Sequence, residues 1–125
     1  MESYEQFCYY IVNRYPFYDY GMWTILDKST GMVIGRAGLE EREVDGEVYT
    51  ELGYMIHHLY RRKGIAFEVC QAILEYAKTI LYLEEIHLFV HVGNTASKRL
   101  AQKLGFVKEE IDATKTYERW SINFE

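Results

Sequence analysis

Between Glu47 and Val92 the hydrophobic repeat changes period twice, and that change restricts the fold more than any other stretch of the chain. Val48, Thr50, Leu52, Tyr54 and Ile56 alternate, which predicts a strand from about Glu47 to Ile56 with those residues on one face. Ile65, Ala66, Val69, Ile73, Ala77, Ile80 and Leu81 then recur at spacings of three and four, a helical stripe over Gly64–Tyr82. Ile86, Leu88, Val90 and Val92 return to alternation. Strand, long helix and strand make a βαβ crossover, so the two strands should be parallel neighbours.

The turn inside that crossover reads Tyr60-Arg61-Arg62-Lys63-Gly64-Ile65-Ala66. The first N–H groups of a helix lack intrahelical partners, and the helix dipole favours negative charge beside them. Gly64 removes the Cβ that would hold an anion away from those groups. Arg61, Arg62 and Lys63 add cations, and arginine grips phosphate through two parallel hydrogen bonds. Taken alone, such a run also fits a solvated turn. The chain carries a net charge of −5, so the cluster opposes the global charge and reads as a local anion site.

Upstream, Tyr4, Phe7, Cys8, Ile11, Val12 and Tyr15 recur at helical spacing, which predicts an amphipathic helix over Tyr4–Tyr15 that Pro16 stops. Tyr20 to Leu26 reads as a strand, Asp27-Lys28-Ser29-Thr30-Gly31 as a tight turn, and Met32 to Leu39 as a second strand. Glu40 to Gly46 reads as a charged hairpin loop before the strand at Glu47. Connections this short make these three strands an antiparallel meander. Downstream, Asn94 or Thr95 caps a short helix carrying Leu100, Ala101 and Leu104, and Gly105 ends it. Phe106 to Ile111 and Tyr117 to Phe124 read as a closing antiparallel pair. The expected fold is α/β in the mixed α+β sense: one domain over residues 1–125, with a twisted, mostly antiparallel sheet, a splayed parallel pair at its centre, and flanking helices.

Composition narrows the function classes. At 125 residues, 49% hydrophobic and 26% charged, the chain suits a single globular core. The acidic balance argues against broad nucleic-acid binding, which needs a basic face. No apolar run approaches a membrane span, and Met1-Glu2-Ser3-Tyr4 does not open a signal peptide. Cys8 and Cys70 stand far apart without zinc spacing, which fits reduced thiols and a cytoplasmic protein with a small-molecule site. His87 and His91 share a strand face around Phe89, and His57 and His58 sit near the turn. Without a third ligand neither pair predicts a metal site.

The hexapeptide Arg61-Arg62-Lys63-Gly64-Ile65-Ala66 resembles the (Q/R)xxGx(G/A) signature of the GNAT N-acetyltransferase family, whose loop and helix start hold the pyrophosphate of coenzyme A. Asn94-Thr95-Ala96-Ser97 followed by Lys103-Leu104-Gly105-Phe106 looks like the second half of the same core, similar to the branch that acetylates ribosomal-protein N-termini. The resemblance covers roughly Met22 to Phe124. It implies an acyl-CoA N-acyltransferase fold and transfer of acetyl from acetyl-CoA, as cosubstrate and without a metal, to a small primary amine or a peptide N-terminus. Direct attack on the thioester is the implied route, with no nucleic acid or membrane involved. A non-catalytic coenzyme A-binding or interaction module on the same fold is the alternative.

On this resemblance, backbone groups around Met55, Ile56 and His57 meet the pantetheine arm, and Asn94 bonds it from the other side. Arg61, Arg62, Lys63, Gly64, Ile65 and Ala66 hold the pyrophosphate, while Ser97, Lys98 and Arg99 lie along the next helix toward the nucleotide. A helix cap explains Asn94 equally well, and a solvated face explains Lys98 and Arg99. Glu51, a few residues before the crevice and on the face opposite Leu52 and Tyr54, is the candidate base; an exposed strand carboxylate is the plain alternative.

Two departures from the family pattern stand out. The family's tyrosine acid falls at Ala101, leaving Ser97, Tyr54 or Tyr117 as substitutes for protonating the leaving thiolate. The family's N-terminal strand and helix have no evident room before Tyr4, so the acceptor side is expected to be open or completed by a second copy in a homodimer. Tyr9, Tyr10, Tyr15, Phe17, Tyr18, Tyr20 and Trp23 fit core packing, an acceptor pocket or a dimer contact.

Overall fold

The computed structural model describes residues 9–13, 22–27, 29–61, 64–111 and 116–124. Strands β1 (Tyr9–Asn13), β2 (Met22–Asp27), β3 (Val33–Val44), β4 (Glu47–Ile56), β5 (Glu85–His91), β6 (Val107–Ile111) and β7 (Tyr117–Asn123) form one sheet in the order β1-β2-β3-β4-β5-β7-β6. Every pairing is antiparallel except β4 with β5, which is parallel and central, as the crossover requires. Helix α1 (Ile65–Thr79) makes the crossover and packs on β3 and β4; α2 (Thr95–Leu104) packs on β5 and against α1.

The core lies between the sheet and these helices. Ile34, Leu39, Leu52, Ile56, Ile86 and Leu88 from the strands meet Ile65, Val69, Cys70, Ile73 and Ala77 of α1. Complete burial pushes the Cys70 thiol up to about 12. The native protein at pH 8 should therefore leave Cys70 unlabelled by iodoacetamide, and unfolding in urea should expose it, as read by peptide mass spectrometry. Labelling of Cys70 at the rate of a free thiol would contradict this packing.

Three expectations are corrected. Tyr9–Asn13 is a strand rather than part of a helix, paired with Asp27–Trp23 of β2; Tyr4 to Cys8 and Arg14 to Pro16 lie outside the described residues. The run Tyr9-Tyr10-Ile11-Val12 is aromatic and β-branched, and its β preference wins over the helical spacing. Glu40 to Val44 is not a loop but the second half of β3, and the reversal is confined to Asp45-Gly46, with φ of 52° and 84°. That is the two-residue hairpin turn favoured by an Asp-Gly pair. The crossover helix stops at Thr79 instead of reaching Tyr82, whose φ is 56°.

Candidate functional site

The parallel pair β4–β5 is held in register only at Glu51 opposite His87, and beyond it the strands part. His57 donates its N–H to the Ile34 carbonyl at 2.7 Å, which makes Gly35–Ile56 a non-hydrogen-bonded pair of the antiparallel ladder. The N–H and C=O of Ile56, and by alternation those of Tyr54, therefore point away from β3 into the opening. The backbone groups of Met55 and the His57 N–H turn toward β3, while the His57 carbonyl accepts the Tyr60 N–H at 2.8 Å. The Ile56 carbonyl accepts a hydrogen bond from Arg61 Nε at 3.0 Å, so on this edge the N–H groups of Ile56 and Tyr54 face the opening as donors.

The opening leads into a cleft of about 590 Å³ between β4, α1 and α2. Tyr54, Met55 and Ile56 form its strand wall. Arg61, Gly64, Ile65, Ala66 and Phe67 form a second wall, and Asn94, Ala96, Ser97, Leu100 and Lys103 a third. Gly64 is the N-cap of α1 and is left-handed, with φ 81°. It offers no capping side chain, so the first turn of α1 opens onto the cleft uncapped. Arg62 and Lys63 lie outside the described residues. Arg61 and Lys103 make the lining cationic in a chain of net charge −5.

Asn94 does cap α2: its Oδ1 accepts the Ser97 N–H at 3.0 Å, leaving its amide nitrogen uncommitted by that bond. Tyr54 donates its hydroxyl to Ser97 Oγ at 2.9 Å. Lys98 turns away to pair with Glu118 at 3.3 Å, and Arg99 is exposed outside the lining. Lys103, which the sequence reading passed over, lines the cleft with its ammonium 4.4 Å from the centre of the Phe67 ring. Its signal is the 96, 100, 103 spacing along one face of α2. The His57 ring accepts the Leu59 N–H and stacks on His58, outside the cleft lining.

Glu51 stands on the opposite face of the sheet, half-buried and paired with Arg42 at 3.0 Å. Burial pushes its carboxyl above the usual range; Arg42 pulls it back, and Glu40, its partner across the ladder, pushes it up again. The Arg42 guanidinium lies over the Phe89 ring, 4.6 Å from its centre, and over Tyr117 at 5.7 Å. His87, buried on the same face, is held below its ordinary pKa chiefly by burial, with Glu85 opposing. A hollow of about 420 Å³ lies beside this layer, between Asp45, Glu47, Tyr49, Phe89, Tyr117 and Arg119. Among the described residues no group of three or more histidines, cysteines, aspartates or glutamates stands close enough to hold a metal ion. None of the described helices is long and apolar enough to cross a membrane.

The model of the acetyltransferase (GNAT) domain matches residues 2–107. The chain belongs to the GNAT family. The resemblance to this family therefore holds, and acetyl-CoA is the acyl donor that the family uses. Among Bacillus subtilis relatives, YkkB is 28% identical over 104 residues, covering 83% of this chain and 58% of its own. YoaA, an N-acetyltransferase by name, is 34% identical over 89 residues, covering 71% of this chain and 50% of its own. A GNAT-family acetyltransferase structure from Bordetella pertussis superposes with a TM-score of 0.76 at 21% identity, covering 86% of this chain and 68% of that one. The chain thus spans about half the length of the curated relatives it matches. Ala101, the position compared above with the family's tyrosine, is fully buried.

Proposed function

We propose that the chain transfers acetyl from acetyl-CoA to a primary amine. The observation that carries the reading is the parted β4–β5 edge opening directly onto the left-handed Gly64 and the uncapped start of α1. A pantetheine arm laid in the opening meets the Ile56 N–H as an added strand would, and the Asn94 amide from the other wall. Its pyrophosphate then falls at the helix start beside Arg61, with Lys103 further along the cleft.

The chain's residues divide the chemistry between the two sheet faces. Glu51 takes a proton from the attacking amine, directly or through one water. The Ile56 N–H supports the oxygen of the thioester carbonyl as negative charge grows there. The Ser97 hydroxyl meets the departing sulfur. The negative net charge of the chain steers cationic amines toward it.

A thiol-release assay with acetyl-CoA and a panel of polyamines, aminoglycosides, amino acids and peptides with free N-termini tests this. Saturable release of free thiol, one per acetylated amine, is expected with at least one member. Binding of coenzyme A without release across the whole panel would favour the non-catalytic module.

A further inference from the structure

Tyr54 ties β4 to α2 across the cleft, and the direction of its hydrogen bond has chemical consequences. Its ring lies half-buried against the core, and its hydroxyl donates to Ser97 Oγ at 2.9 Å. Burial raises the Tyr54 phenol above its ordinary pKa, against the opposing bond to Ser97, so the group is protonated and able to donate at neutral pH. Ser97 itself is fixed in the first turn of α2, its N–H bound to Asn94 Oδ1 at 3.0 Å. A serine hydroxyl has one proton and two acceptor positions. Once Tyr54 occupies an acceptor position, the Ser97 proton is not available to Tyr54 and turns toward another acceptor. Both side chains line the cleft, so the acceptor there is whatever the cleft holds. A hydroxyl that accepts one hydrogen bond is also polarised into a better donor.

We propose that Tyr54 is the positioning residue for the leaving group: by donating to Ser97 Oγ, it aims the Ser97 proton at the sulfur released from the thioester. The inference rests on the acetyl-transfer reading above. The carbon–sulfur bond breaks with its electron pair on sulfur while the amine nitrogen forms its bond to the acetyl carbon. The amine proton passes to Glu51. Ser97 keeps its proton and stabilises the thiolate by hydrogen bonding. Solvent returns the Glu51 proton to sulfur, so thiol and amide form with no further reactant. The Tyr54–Ser97 pair supplies at the cleft the hydroxyl that Ala101 lacks.

Four proteins test it: wild type, Y54F, S97A and the double variant. Tyr54→Phe keeps the ring and removes only the hydroxyl, so the thermal midpoint should hold. Expected for Y54F is a kcat loss of about 10- to 100-fold, the range for a hydrogen bond to a charged group, with KM for acetyl-CoA changed less than about twofold. S97A should lose at least as much, and the double variant no more than S97A, because Tyr54 acts through Ser97. A second readout does not need turnover: the thiol of bound coenzyme A, followed by thiolate absorbance, should ionise at lower pH in wild type than in Y54F. Additive losses in the double variant, or identical thiol titrations, would overturn the proposal. Absence of thiol release by wild type that binds coenzyme A would instead remove the transfer reading, while the titration still decides the role of Tyr54.

Discussion

Gly64→Asp is expected to leave the fold intact and to weaken coenzyme A binding by at least about 100-fold. Gly64 sits at φ 81°, a region costing most residues about 1–2 kcal/mol, but aspartate and asparagine tolerate it best after glycine. As an N-cap, aspartate gains only a few tenths of a kcal/mol over glycine, so a small fall in thermal midpoint is expected with the fold retained. Its carboxylate would stand beside the open N–H groups at the start of α1, in the space proposed for the pyrophosphate. Two like charges about 4 Å apart repel by about 4 kcal/mol at an effective dielectric constant near 20, and tenfold in affinity is 1.4 kcal/mol. Salt screening lowers that figure, hence the more modest expected loss. Gly64→Asn fills the same space without the charge and should lose roughly tenfold less. Calorimetric titration with coenzyme A reads both, beside thermal midpoints. Unchanged affinity in Gly64→Asp would remove the helix start from the site.

The parts of this architecture legible from sequence are those fixed by local period and turn chemistry. Glu47–Ile56 was bounded correctly because alternation runs uninterrupted from a turn to the basic segment. The end of α2 was equally plain: Gly105 is left-handed with φ 101°, and the Phe106 N–H reaches back to the Ala101 carbonyl at 2.9 Å. The hairpin before β4 was misread because Glu40, Glu41, Arg42 and Glu43 carry charge on both faces of a strand, which removes the alternation signal. The Asp45-Gly46 pair was the better guide. A two-residue turn there places Val44 opposite Glu47, Arg42 opposite Tyr49 and Glu40 opposite Glu51, so the Arg42–Glu51 ion pair follows from the register. The Tyr54–Ser97 bond joins residues 43 apart in sequence, and nothing local encodes it. Lys98 and Lys103 differ only by rotation around α2, which sends one to Glu118 and the other into the cleft.

Glu51→Gln should lower kcat by about 10²–10³-fold, a usual cost of losing a positioned base, and leave KM for acetyl-CoA within about twofold. The amide is isosteric, and it keeps an oxygen for Arg42, so the ladder between β3 and β4 should hold. The pH profile separates a base from a structural carboxylate. A base acts only when ionised, so on the proposed role of Glu51 the wild-type rate should fall as pH drops through its pKa. Burial places that acid limb above the ordinary carboxylate range, with the opposing pull of Arg42 limiting the rise. Residual activity in Glu51→Gln should lack the limb. Arg42→Ala removes the cation that favours the charged form, so its limb should move to higher pH, whereas Glu40→Gln removes a repelling charge and should move it lower. The opposite signs matter more than the sizes. A merely structural Arg42–Glu51 pair would change stability in both ladder variants while leaving the limb in place, and an unmoved limb would return Glu51 to the role of an ordinary strand carboxylate.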